Sequence, residues 1–182
     1  MAKLVSKTYG DALFELALEE NKMDLFYEEA LVILQVFEEN SELLKLLNHP
    51  KIDKNEKVSV MEDIFKNRAS EDMVGFLTVV AKKERQNDIC SILDYFIAQV
   101  KEYKKIGVAK VTSAHVLDDA QKKDIEAKLL STTPYETFEM TFDVDPSLIG
   151  GLVIRIGDRV LDSSIKNKLN EMAKDLYNIQ LS

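Results

Sequence analysis

Between Lys104 and Gly107 the spacing of the apolar residues changes, and that change decides what the chain can fold into. Before it, apolar side chains return every three or four positions, glycine is rare and Pro50 is the only proline, the pattern of packed helices. After it, runs such as Phe138, Met140, Phe142 and Val144 alternate with polar residues, the period of a strand with one buried face. The expectation is an α+β chain: an N-terminal six-helix bundle over 1–104, then a small α+β C-terminal domain over 105–182.

The helical part divides into six segments. The first runs from about Leu4 to Glu20, and the second, Asp24 to Glu39, stacks Ala30, Ile33, Leu34 and Phe37 on one face. A short third, Ser41 to Leu47, stops before His49-Pro50. Asp53 with Glu56 marks a capping pair for the fourth, Ser70 followed by Glu71 and Asp72 opens the fifth, and Asp88 opens the sixth. Short helices joined by short loops must pack on one another. On the first helix Thr8, Asp11, Glu15 and Glu19 crowd a narrow sector, while Val5, Tyr9, Ala12, Leu13, Leu16 and Ala17 spread over more surface than one neighbour covers. On the fifth, Met73, Phe76, Leu77, Val80 and Ala81 form a stripe, with Gly75 and Val79 outside it. Two accounts fit: burial between several neighbours, or a groove between the first and fifth helices that takes an amphipathic helix of another chain.

In the second part, Val108 to Ala114 reads as a strand, Asp118 with Gln121 starts a helix holding Ile125 and Leu129, and Phe138 to Val144 alternates as a second strand. From Asp145 to Ile165 the chain packs turn, hairpin and helix start into one run. Pro146 and Gly150-Gly151 break it, Leu152, Ile154 and Ile156 share a strand face, and Gly157-Asp158 reverses into Arg159-Val160-Leu161. Asp162, Ser163 or Ser164 then caps a last helix with Ile165, Leu169, Met172 and Ala173 on one stripe.

Chemistry is scarce. Two histidines, His49 and His115, and one cysteine, Cys90, show no zinc spacing, and the carboxylates lack the Glu-x-x-His repeat of a bundle metal site. Gly150-Gly151 and Gly157 match no phosphate loop, because they precede and join strands where such loops run from strand into helix. Neither a cofactor nor a small-molecule substrate is expected. A net charge of −8 argues against a nucleic-acid partner, whose phosphates require a basic footprint. The longest apolar or glycine run, Leu148 to Ile154, falls far short of the ~20 residues that cross a bilayer, so membrane insertion is not expected. One cysteine makes no internal disulfide, which fits the cytosol. A surface held by other proteins is the natural use of such a chain, and a free-standing adaptor or a small enzyme using Cys90 or His115 is the alternative.

Two passages then point to a family. Ser6-Lys-Thr-Tyr9-Gly-Asp-Ala12-Leu13-Phe14-Glu-Leu16-Ala17 and the run Asp145 to Ile165 with Lys168-Leu169 resemble the two ends of the delta subunit of bacterial F-type ATP synthases, the counterpart of the mitochondrial oligomycin-sensitivity-conferring protein. The resemblance implies a non-catalytic stator subunit with two partners, the N-terminal segments of the alpha subunits and the C-terminal ends of the b subunits. It also implies a peripheral place on the cytoplasmic face of the cell membrane, as part of the complex that couples ion transport to ATP synthesis. It assigns the alpha-subunit groove to Tyr9, Ala12, Leu13 and Leu16 beside Gly75, Thr78 and Val79, and the stalk side to Leu152, Ile154, Ile156, Val160 and Leu169. Gly150, Gly151, Gly157, Asp158, Asp162 and Ser164 serve as structural turn and cap. Gly10 departs from the alanine usual in the family, at about 1 kcal/mol of helix propensity.

Overall fold

The computed structural model describes residues 2–48 and 52–180, so the helix stop expected at His49-Pro50 lies outside the described residues. The chain divides into two compact units, Met1–Lys101 and Glu102–Ser182. Helices fill the first and a mixed sheet with helices fills the second, an α+β architecture.

The first unit contains α1 (Ala2–Glu19), α2 (Met23–Glu39), α3 (Ser41–Leu47), α4 (Lys54–Phe65), α5 (Glu71–Lys82) and α6 (Ile89–Tyr103). Every one of them contributes to one core, through Leu13 and Ala17, Phe26 and Ile33, Leu47, Met61 and Phe65, Met73 and Leu77, and Ile92 and Phe96 in that order. α3 has seven residues, fewer than the ~12–15 at which an isolated helix becomes even marginal, so the burial of Leu47 against its neighbours holds it. Each fully buried side chain of this size contributes about 1.5–3 kcal/mol.

The ends of these helices are set by particular residues. α1 closes through Asn21, at φ 53°, with the Asn21 N–H on the Leu18 carbonyl and the Lys22 N–H on that of Ala17. α5 opens at Ser70, whose Oγ accepts the Met73 N–H at 3.4 Å. The buried Glu29 of α2 accepts both the Ser70 N–H, at 2.7 Å, and the Ser70 hydroxyl, at 2.8 Å. Asp53 takes the N-cap conformation of α4 but makes no side-chain cap bond, so the expected capping pair with Glu56 does not form. The sixth helix is preceded by a 3₁₀ turn, Gln86–Asp88, that shifts its start from Asp88 to Ile89.

The second unit contains β1 (Ile106–Ser113), α7 (Asp119–Thr132), β2 (Thr137–Val144), β3 (Leu152–Ile156), β4 (Arg159–Asp162) and α8 (Ile165–Gln180), with a 3₁₀ turn at Pro146–Leu148. The sheet order is β2-β1-β3-β4. β1 and β2 are parallel, Gly107 opposite Phe138 and Val111 opposite Phe142, and α7 is the crossover that a parallel pair requires. The pairs β1–β3 and β3–β4 are antiparallel. Ala109, Val111, Ile154 and Leu129 form the centre of this core, with Ile125, Met140, Leu152 and Ile156 packed around them. α7 begins with a complete capping box: the Asp118 carboxylate accepts the Gln121 N–H at 2.7 Å, and the Gln121 Oε1 accepts the Asp118 N–H at 3.1 Å.

Candidate interaction surfaces

α1 is held to α6 by a close approach and a polar pair. Gly10 is buried under the Tyr95 ring, and a Cβ at residue 10 would fall inside contact distance of ring carbon Cδ1. The Tyr95 hydroxyl donates to Asp11 Oδ1 at 3.1 Å, and Gln99 Nε2 donates to the same oxygen at 2.8 Å. With that face fixed, α1 leaves Val5, Tyr9 and Leu16 half-buried at the margin of the core, with Ala12 exposed beside them. Leu13 is different. At 0% exposure it belongs to the core, and the sequence-based assignment to a partner-binding groove is corrected: on the wheel Leu13 falls between Tyr9 and the buried Ala17, on the inward side of Tyr9.

On α5 the three expected groove residues separate into two lines. Glu71, Gly75, Thr78 and Lys82 follow one another at i, i+4, i+7 and i+11, and Asp72, Phe76 and Val79 form the next line round the helix. Gly75 and Thr78 line a cleft of about 400 Å³ whose other walls are Glu62 of α4, Lys66 just after it, Asn67, Ala69, Glu71 and Val74; none of the described residues of α1 lines it. Thr78 is itself buried at the floor of this cleft, its hydroxyl donating to the Gly75 carbonyl at 2.7 Å. Val79 is 48% exposed. The line it shares begins at Asp72, whose Oδ2 lies 2.9 Å from the Nζ of Lys22 just beyond α1. The Lys22–Asp72 pair therefore ties the turn after α1 to the Asp72–Phe76–Val79 line of α5, and Gly75 lies on the neighbouring line.

In the second unit strand pairing sorts the expected stalk residues by face. Leu152, Ile154 and Ile156 share the side of the sheet that packs on α7, and Ile154 is buried in that core. Val160 is paired with Arg155, one residue out of step, and lies on the opposite face at 52% exposure. These four residues therefore do not form one patch; Ile154 is a core residue, and this assignment is corrected. Leu161, missed in the sequence, is paired with Ile154, is exposed, and lines a cleft of about 410 Å³ with Ile125, Lys128 and Leu129 of α7. The signal was present in the two-residue Gly157-Asp158 turn, which fixes the register; Gly157 supplies the positive φ, 55°, that such turns need at their first central residue.

Between Gly150 and Ser164 particular residues set the path of the chain. Gly151 has φ 81°, and a Cβ there would strike the Ser163 carbonyl, so the position excludes side chains twice over. Ser164 is buried, and its Oγ accepts the Asn167 N–H at 3.1 Å to cap α8, while Asp162 Oδ1 accepts the Ser164 N–H at 2.9 Å. Hydrogen bonds from Ser164 hold the Asp162 carboxyl below the usual aspartate range, and those from Ser147 do the same for Asp145. Beyond the cap, α8 carries its apolar stripe in the open: Leu169 is 53% and Met172 64% exposed.

Among the described residues no reactive centre is built around Cys90 or His115. Cys90 is half-buried in the first unit, and burial, then the carboxylates of Asp94 and Glu38, push its thiol up, away from the nucleophilic thiolate. His115 is exposed in the second unit. Among the described residues no group of three or more His, Cys, Asp or Glu is placed to hold a metal ion, and no helix is long and apolar enough to cross a membrane.

Comparison with known proteins identifies the family. The family model described as "ATP synthase delta (OSCP) subunit" matches residues 5–176. ATP synthase subunit delta of Lachnoclostridium phytofermentans is 57% identical over 181 residues, covering 100% of both chains. ATP synthase subunit delta of Desulforamulus reducens is 36% identical, covering 91% of each. A chain in the cryo-EM structure of the Toxoplasma gondii mitochondrial ATP synthase hexamer superposes with a TM-score of 0.75 at 18% identity, over 94% of this chain and 97% of that one, and so shares the fold. The chain belongs to the ATP synthase delta (OSCP) subunit family.

Proposed function

We propose that the chain works as a two-ended connector: the six-helix domain, 1–104, grips the N-terminal segments of alpha subunits, and the α+β domain, 105–182, holds the C-terminal ends of b subunits. Membership of the family makes it a non-catalytic peripheral-stalk subunit of an F-type ATP synthase. A stator joins the catalytic head to the membrane sector, so that rotor torque changes the conformation of the head and does not spin it. Its place is peripheral, on the cytoplasmic face of the cell membrane. The observation that carries the two-ended reading is that each unit has its own core and each leaves apolar side chains outside it. On the first these include Val79 and Ala12, beside the half-buried Tyr9 and Leu16; on the second they include Val160, Leu161 and the α8 stripe of Ile165, Leu169 and Met172. A part that transmits force needs slow dissociation, which desolvated apolar anchors supply better than rim charges.

Titration of the full-length chain with two synthetic peptides, one from the N-terminal segment of the alpha chain and one from the C-terminal end of the b chain, tests this. Val79→Asp is expected to weaken the alpha peptide at least tenfold and leave the b peptide unchanged, and Leu169→Asp to do the reverse, a penalty of about 1.4 kcal/mol or more in each case. Equal loss of both peptides in either variant, or none in both, would contradict the assignment of one partner to each unit.

A further inference from the structure

We infer that Lys22 is a positioning residue for the alpha-segment site: its ion pair with Asp72 ties the turn between α1 and α2 to the first turn of α5, and so sets where Val79 stands relative to Tyr9 and Leu16. The inference rests on the alpha-segment reading above. Lys22 Nζ sits 2.9 Å from Asp72 Oδ2 and 3.2 Å from Glu20 Oε2, so one ammonium joins the carboxylates at the end of α1 and the start of α5. Neither side of the bridge is free to drift. Lys22 is placed by the α1 terminus, through its N–H on the Ala17 carbonyl and the positive φ of Asn21 before it. Asp72 stands in the first turn of α5, which Glu29 anchors to α2 through Ser70.

The bridge also lies in line with the surface it would set. Asp72, Phe76 and Val79 fall at i, i+4 and i+7, so the residue that ties α5 to α1 begins the same line that ends in the exposed Val79. A sideways movement of the start of α5 would carry Phe76 and Val79 with it relative to Tyr9 and Leu16. The hydrogen bonds from Lys22 to Asp72 and then Glu20 raise its pKa, so the ammonium persists across the working range of pH. Both members are more than a third exposed, and a pair of that kind contributes little to overall stability. Its effect belongs in the geometry of the site.

The experiment uses the full chain and a synthetic peptide of the N-terminal segment of the alpha chain. Lys22→Met and Asp72→Asn are each expected to weaken the peptide about threefold to fivefold at low salt, with an unchanged urea midpoint. The charge exchange Lys22→Asp with Asp72→Lys is expected to return affinity to within about twofold of the parent. Recovery in the double variant separates positioning by the pair from loss of a residue that merely touches the peptide. Parent-like affinity in both single variants, or a loss that the exchange leaves unrepaired, would overturn the role of Lys22 alone. Failure of the unsubstituted chain to bind the peptide would overturn the alpha-segment reading, and this role with it.

Discussion

Tyr95 lies across Gly10 so closely that α1 and α6 have no room for a side chain between them, and the ring is held there by its hydroxyl on Asp11. The glycine that costs α1 about 1 kcal/mol of propensity is thus the condition for its packing. Gly10→Ala regains that propensity but overpacks the contact by about 1–3 kcal/mol, so a net loss of up to about 2 kcal/mol in urea unfolding is expected. In a Tyr95→Ala background the same substitution is expected to stabilise by about 1 kcal/mol. An unchanged sign in the two backgrounds would show that the ring does not set the residue.

Glu29 has a comparable role at the start of α5. It is buried, and both carboxylate oxygens are occupied by Ser70. Glu29→Ala leaves the Ser70 N–H without a partner and is expected to cost about 2–3 kcal/mol, whereas Glu29→Gln, which retains one acceptor, should cost roughly half as much. Chemical denaturation of the two variants measures the difference. Equal costs would mean that packing of the side chain, and not its acceptor oxygens, matters.

Much of this was legible in the sequence where one physical rule acts alone. The change of period near Lys104 located the passage from α6 into β1, because helical and strand periods cannot coexist in one element. The Asp118–Gln121 box and the Ser164 cap could be read as letters because such bonds span three residues. The surfaces were less legible. Leu13 and Tyr9 are four apart on one helix, and only the arrival of α6 over Gly10 decides which sinks into the core. Likewise Gly75, Thr78 and Val79 are near neighbours on the α5 wheel, and it takes the position of α4 to assign the first two to one cleft and the third to another side. Asp53 shows the reverse error: the right letters stand at the right spacing, without the bond.

The opposite faces of β3 and β4 give a sharp contrast between two residues that the sequence grouped together. Ile154→Ala removes core volume beneath α7 and is expected to cost about 2–4 kcal/mol. Val160→Ser, on the open face, should change stability by no more than about 0.5 kcal/mol. Thermal unfolding of both variants compares them. A large loss for Val160→Ser would mean that the second face is covered within the chain.

Asp145 and Asp162 make an acid-side prediction. Hydrogen bonds to Ser147 and Ser164 lower both carboxyl pKa values on folding, so the stabilisation is fully present above the unfolded value of about 3.9 and is lost as pH falls through the lower folded values. Carboxyl titration by NMR should find both midpoints below that of an unstructured aspartate. The Ser147 and Ser164 amides should lose exchange protection in the same interval. Midpoints at or above the ordinary value would remove the two side-chain acceptors from the account of this corner.

Reconstitution of the connection itself tests the two-ended account most directly. Catalytic heads stripped of their delta component are mixed with an immobilised peptide spanning the C-terminal end of the b chain, with and without the full-length protein, and the heads retained are measured. Retention is expected only when the protein is present, lost with Val79→Asp and lost separately with Leu169→Asp. Heads retained equally without it, or a protein that captures one partner and never both, would contradict it.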